Sequence, residues 1–182
     1  MGEFGAEYQA SRKFEDKYFT IAWQIITTLK LKPDATVLDY GCGKGFLVHA
    51  FRSFFIDAYG YDVSKEAVEQ AHGLAAGHLC GDWALKPSED FYDVLLCIDV
   101  LEHMTEGKMI AWLDTLARTA PIAVFSIPFL GDPNLFKDPT HKIFKTKEWW
   151  KYELGKHWRI RDAPKEWAFS EQFLIGERRE VG

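Results

Sequence analysis

The chain has 182 residues, 47% of them hydrophobic and 27% charged, with a formal net charge of −5. Such a length and balance fit one globular domain with a full core and leave little room for two. The acidic excess speaks against a protein that coats nucleic acid through bulk charge, because counterion release needs many clustered Lys and Arg.

In chain order, helices and strands alternate. The first periodic stretch, FEDKYFTIAWQIITTLK (14–30), places Phe14, Tyr18, Ala22, Ile25, Ile26 and Leu29 at helical spacing. Lys32-Pro33-Asp34 breaks it. ATVLDY (35–40) has the pattern of a strand buried on both faces. A glycine loop follows, then FLVHAFRSFF as a helix and AYGYD (58–62) as a second strand. Ser64 is the N-cap expected for the helix KEAVEQAHGLAA, which ends at Gly77. HLCGD is a short third strand, and FYDVLLCID (91–99) is a buried fourth. Met104 to Thr119 reads as a helix, and IAVFSI as a fifth strand. A loop with three prolines covers 128–141, and Thr146 caps the helix KEWWKYELG. HWRIRDA and FSEQFLIGERR read as two final strands with no helix between them, hence antiparallel to each other. The expected fold is α/β: a Rossmann-like, doubly wound, seven-stranded, mostly parallel sheet with an antiparallel last strand.

Ligands of open α/β sheets bind at the carboxyl ends of the strands, so the loop after the first strand is informative. It reads VLDYGCGKG, with Gly41, Gly43 and Gly45. A dinucleotide fingerprint needs a glycine where this chain has Phe46, and the stretch is no Walker loop. Asp39 would repel a phosphate but suits an ammonium or hydroxyls. Asp62, ending the second strand, suits the two hydroxyls of a ribose. Asp82 and Trp83 offer a hydrogen bond and an apolar face to an adenine ring. A ligand with an amino-acid end, a ribose and an adenine is S-adenosylmethionine. The plain structural alternatives are an Asp that caps the next turn, for Asp39 or Asp62, and a core or rim tryptophan for Trp83.

VLDYGCGKG, YGYDVS, CGDW, FYDVLLCIDVLEHM and VFSIPF together resemble the class I S-adenosylmethionine-dependent methyltransferases of the small, single-domain type. The resemblance implies the same sheet, with S-adenosylmethionine as cofactor and S-adenosylhomocysteine as product. It implies that Asp39, Gly41, Cys42 and Gly43 line the methionine end, with Cys42 a small filler. Asp62 with Val63 would face the ribose, Asp82 and Trp83 the adenine, and the backbone of Ile98 and Asp99 the methionine amine. One domain over 1–182 is expected: a helical segment at 1–31 with Tyr18 and Phe19 as lid residues, a cofactor half at 35–127, and an acceptor side at 128–182.

Methyl transfer needs alignment and a base. Asp99, Glu102 and His103 follow the fourth strand and His141 follows the fifth, and histidine is poised to accept a proton near neutral pH. His103 and His141 are therefore the candidate catalytic residues. Local packing at a helix start or anchoring of the proline-rich loop would explain them equally. Asp99, Glu102, His103 and His141 also resemble the Mg²⁺-binding pattern of the small-RNA 3′-end 2′-O-methyltransferases, with Asp where that family has Glu. The remaining histidines, at 49, 72, 78 and 157, read as surface or structural.

The acceptor wall is expected over 128–158, where Phe129, Phe136, Phe144, Trp149, Trp150 and Trp158 alternate with Lys137, Lys142, Lys145 and Lys147. Aromatic faces stack on planar groups or sugars, and the lysines suit an acidic group. A small-molecule acceptor is expected, such as a sugar or secondary-metabolite precursor, methylated on oxygen more readily than on nitrogen; nucleic acid is disfavoured. A nicotinamide oxidoreductase conflicts with Asp39 and Phe46, and a catalytically silent cofactor-binding partner subunit is a third class. Cys42, Cys80 and Cys97 have no zinc spacing and read as buried reduced thiols. No run approaches a membrane span of ~18 apolar residues or a secretory signal core, so a cytoplasmic protein is expected. Oligomeric state is not readable.

Overall fold

The apolar runs become seven strands: β1 Thr36–Tyr40, β2 Asp57–Tyr61, β3 Leu79–Cys80, β4 Val94–Ile98, β5 Ile122–Ser126, β6 Trp158–Asp162 and β7 Phe173–Arg178. They form a sheet in the order β3-β2-β1-β4-β5-β7-β6. β7 runs antiparallel to both β5 and β6, while the β1–β2, β2–β3 and β4–β5 pairs are parallel. The seven-stranded reading with a reversed last strand is borne out; the reversed strand lies one place in from the edge. The computed structural model describes residues 10–81, 92–133 and 135–179. The chain divides into two units, residues 1–87 and 88–182.

In the first unit, helix α1 (Lys17–Leu29) buries Tyr18, Ile21, Ala22 and Ile25, one stripe at helical spacing. It packs on helix α2 (Phe46–Ser53), which buries Phe46, Leu47, Val48, Ala50 and Phe51. Neighbours Val37 and Leu38 of β1 point to opposite faces and are both buried, as a two-face strand requires. Each such apolar side chain contributes about 1.5–3 kcal/mol. Tyr18, read from sequence as a lid residue, is a core residue: it packs against Phe14 and tilts against Phe46. Phe19 is half-buried, edge-on to Phe14 and His49.

Helix α3 is shorter than its periodicity predicts. It covers only Lys65–Glu69, capped by Ser64, whose hydroxyl accepts from the Ala67 N–H. His72 is extended and Gly73 is left-handed at φ 52°, so the helix cannot continue to Gly77. A Cβ on Gly73 would meet the His49 ring at 2.7 Å, so glycine here lets that ring close in.

In the second unit, Val94 to Cys97 of β4 and Ala123 to Phe125 of β5 are fully buried. Helix α4 starts at Glu106, not at Met104, and ends at Ala117. Residues Leu101–His103 form a separate 3₁₀ turn instead. The Glu102 carbonyl accepts the N–H groups of Lys142 and Ile143 at 2.7 and 3.1 Å, which commits this turn to the loop after β5 rather than to the helix. Helix α5 (Lys147–Leu154) is capped by Thr146 and buries Trp150, while Trp149 stays half-buried. Trp158 at the start of β6 is buried edge-on to Phe125.

Of the three free cysteines, Cys97 is buried, but Cys42 and Cys80 are only half-buried, which corrects the expectation for those two. Strand β3 is too short and too near the sheet edge to cover Cys80 fully. The other histidines have partners: His72 stacks on Phe14, His49 accepts from the Leu74 N–H, His78 packs on Tyr59 and His157 on Trp158. Among the described residues, no helix is long and apolar enough to cross a membrane.

Candidate active site

The first unit builds a loop at the carboxyl end of β1. Gly41, Gly43 and Gly45 all have positive φ, at 79°, 55° and 73°. The N–H groups of Gly41 and Cys42 donate to the Tyr61 carbonyl, and Gly45 N–H donates to the Cys42 carbonyl. At Gly45 a Cβ would meet Ala75 at 2.7 Å, so close approach and backbone angle both demand glycine. Phe46, which displaces the dinucleotide fingerprint, is buried against Tyr18 and His72.

Asp62 locks this loop. Its Oδ2 accepts the Gly43 N–H at 2.7 Å and its Oδ1 accepts the Ser64 N–H at 2.8 Å. The turn-capping alternative for Asp62 is thus realised, and a carboxylate retains further lone pairs for hydroxyl donors. Burial pushes its carboxyl up, and the two N–H donors pull it back. Asp39 is buried in β1 with its carboxyl pushed up to about 7, first by burial and then by the charge of Asp62. The Cys42 thiol is raised well above the usual range, first by desolvation and then by the charges of Asp39 and Asp62. Val63, beside Asp62, is exposed. Asp82 and Trp83 lie outside the described residues.

The second unit builds a polar cluster after β4. Asp99 ends the strand with φ 54°, a left-handed conformation that Asp tolerates better than most. Its N–H donates to the Ser126 carbonyl, and its Oδ1 accepts the Ser126 hydroxyl at 2.7 Å. Ile98 is half-buried beside it. Glu102 is 0% exposed, and neither carboxyl oxygen makes a hydrogen bond of normal geometry. Burial, and after it the nearby Asp99, raise its carboxyl well above the usual range. His141 places Nε2 3.9 Å from Glu102, and its ring packs edge-on to His103 with centroids 4.7 Å apart.

Hydrogen-bond accounting assigns both imidazoles. His141 Nδ1 lies 2.7 Å from the Leu135 carbonyl, which can only accept, so Nδ1 carries the proton. Thr140 Oγ1 donates its one proton to Asp138 at 2.6 Å, so it must accept from His103 Nδ1–H at 2.8 Å. Both neutral rings therefore carry their lone pair on Nε2, the tautomer suited to accepting a proton or a metal. The sequence reading named His103 and His141 but missed Thr140 and Asp138 as the support of His103, the Leu135 carbonyl as that of His141, and Ser126 as that of Asp99. The Asp-x-Thr spacing of a side-chain-bonded turn was the available signal, and Asp138 does accept the Thr140 N–H.

A family profile described as a methyltransferase domain matches residues 12–171. The chain belongs to this family. Its class I S-adenosylmethionine-dependent reading from sequence therefore stands. The ubiquinone biosynthesis O-methyltransferase of Bordetella avium (strain 197N) is 30% identical over 83 residues, covering 41% of this chain and 34% of that protein. The chain thus spans about a third of that relative's length in the match. Magnesium protoporphyrin IX methyltransferase from Synechocystis PCC 6803, solved with bound SAH, shares the fold at TM-score 0.65 and 21% identity, over 90% of this chain and 82% of that one. The methyltransferase domain of bacterial CtHen1-CN shares it at TM-score 0.62 and 18% identity, over 86% and 96%. At these identities the two structures speak for the fold alone.

Within this methyltransferase domain, Asp39 carries a pH signature. Its folded pKa, about 7, lies above the ordinary aspartate value of 3.8. Between these values the unfolded chain ionises while the folded one stays protonated, so stability falls as pH rises from about 4 to about 7 and is level above. Asp39→Asn removes that loss. Thermal unfolding of both proteins from pH 4 to 8 is expected to show a Tm advantage for the variant that widens up to pH 7 and then stays constant. A gap independent of pH would mean Asp39 titrates as an ordinary surface carboxylate.

Proposed function

We propose that this chain transfers a methyl group from S-adenosylmethionine to an oxygen of a small molecule. The observation that carries the proposal is a positive-φ glycine loop at the end of β1 beside a buried carboxyl, Asp39, pushed up to about 7. An anionic phosphate gains no charge attraction from that carboxyl in either protonation state. A ligand with an ammonium gains from it, since Asp39 can ionise as the cation arrives. The names of the curated relatives favour oxygen as the atom methylated.

The cofactor supplies a methyl group already activated on a sulfonium. The chain's own residues have two tasks. In this reading the backbone of Gly41, Cys42 and Gly43 serves the methionine end beside Asp39, Asp62 with Val63 serves the ribose hydroxyls, and Ile98 and Asp99 are assigned to the amine. Asp82 and Trp83 are assigned to the adenine. Holding acceptor and methyl in line is worth on the order of 7–11 kcal/mol. His103 or His141 then takes the acceptor's proton on Nε2 as the new C–O bond forms, worth about 10²- to 10⁴-fold.

Calorimetric titration with S-adenosylmethionine and with NADH tests this. The expected result is micromolar binding of the first, none of the second, and loss of binding in Asp62→Ala. His103→Ala and His141→Ala are expected to keep cofactor affinity while turnover, followed as S-adenosylhomocysteine formed, falls about 10²-fold or more. A wild-type protein that binds cofactor but never turns over would be the silent partner subunit.

One observation favours a metal-assisted variant. Glu102, His103 and His141 offer ligand atoms within 4.8 Å of one another, and the buried Glu102 oxygens make no hydrogen bond of normal geometry. The three residues fit a divalent cation. Two imidazoles with one carboxylate suit manganese, iron, nickel or zinc better than magnesium, which prefers oxygen. Bound there, the ion would polarise an acceptor hydroxyl. This donor set does not by itself make the acceptor RNA, since Lys145, Lys147 and Lys151 are each paired with a carboxylate. Titration with Mn²⁺ followed by electron paramagnetic resonance decides. Stoichiometric binding lost in Glu102→Gln supports the metal; no binding to wild type ends it.

A further inference from the structure

Two phenylalanines beside the His–Glu cluster are left open to solvent. Phe136 and Phe144 are 68% and 41% exposed. Their rings are stacked with centroids 5.4 Å apart and planes within 9°. Both are rooted in the cluster's own hydrogen bonds. Phe136 follows Leu135, a buried residue whose carbonyl holds His141. Phe144 follows Ile143, also buried, whose N–H is bound to the Glu102 carbonyl. The stack is thus fixed one residue away from each side of the cluster.

Other aromatic faces in this region are already used. Lys145 lies over Trp149 at 4.9 Å and Lys147 over Phe129 at 5.3 Å. The same lysines are engaged by carboxylates, Lys145 by Glu106 and Lys147 by Asp162. The sequence reading assigned these lysines to an acidic group on the acceptor, but their charge is already balanced. What remains is a flat, preordered apolar surface formed by the two stacked rings. Two exposed parallel rings offer a flat face that a planar ring covers face to face.

We propose that Phe136 and Phe144 form a stacking platform for the planar ring of the acceptor, so that the acceptor is a hydroxylated aromatic small molecule. This rests on the reading that the Glu102, His103 and His141 cluster serves the acceptor. Phe136 supplies the outer face and Phe144 holds it in plane. The ring's hydroxyl is then presented to the lone pairs on the two imidazoles.

The test uses the full chain loaded with S-adenosylhomocysteine. Binding of 4-methylcatechol is measured by ligand-observed NMR, with cis-1,2-cyclohexanediol as the non-planar match and a short single-stranded RNA as the competing acceptor class. Wild type is expected to bind the catechol and neither of the others. Phe136→Ala is expected to weaken catechol binding about tenfold or more, and Phe136→Trp to retain it. The exposure of Phe136 keeps both variants folded. No catechol binding to wild type, equal binding of the cyclohexanediol, preferential binding of the RNA, or an unchanged Phe136→Ala would each overturn the platform. Loss of S-adenosylhomocysteine binding in the wild type is read in the same samples, and it would instead overturn the methyltransferase reading on which the platform rests.

Discussion

The two hydrogen bonds accepted by Asp62 are the constraint on which the cofactor side depends. One carboxylate takes the N–H of Gly43, nineteen residues earlier, and the N–H of Ser64, two residues later. It thereby joins the glycine loop after β1 to the turn that opens α3. Hydrogen bonds to a charged acceptor contribute about 1.5–3 kcal/mol each, more than the cost of holding glycines at positive φ. Only a side chain with two acceptor oxygens at this position can serve both donors. The loop that results is a ring of backbone N–H and C=O groups, and its approach to Ala75 and Leu79 leaves no space for a Cβ at Gly45.

The electrostatics follow from that closure. Burial pushes the Asp62 carboxyl up, and the two N–H groups that face it pull it part of the way back. Asp39, buried nearby, is held near neutrality by desolvation and by the charge of Asp62. Two buried carboxyls in one site resist ionising together. Such a pair is poorly suited to phosphate and well suited to a cation that arrives with hydroxyls. In the second unit the same economy recurs with different groups. Each imidazole spends its Nδ1–H on a protein acceptor, and burial pushes the Glu102 carboxyl up.

Much of this was legible in the sequence. Period-two and unbroken apolar runs such as VLLCI and IAVFS located the strands, and the absence of a helix between β6 and β7 foretold their antiparallel pairing. Asp39, Asp62, His103 and His141 stood out because each follows or ends a strand. What was not legible depends on contacts between distant segments. The early end of α3 is set by His49 pressing against Gly73, and the separate turn at 101–103 by the bonds from Lys142 and Ile143 to Glu102. Neither leaves a trace in local propensity. The burial of Tyr18 likewise follows from where α1 packs, and the balanced lysines from the placement of Glu106 and Asp162.

Proton release on cofactor binding tests the central claim most directly. Calorimetric titration of S-adenosylmethionine at pH 6.5, in two buffers of different ionisation enthalpy, gives the number of protons exchanged. With Asp39 mostly protonated before binding and ionised beside the ligand's ammonium after it, the account predicts a net release of a substantial fraction of one proton, abolished in Asp39→Asn. Binding with no proton exchange, or with uptake, would contradict it, because the carboxyl at the end of β1 would then not be meeting a cation.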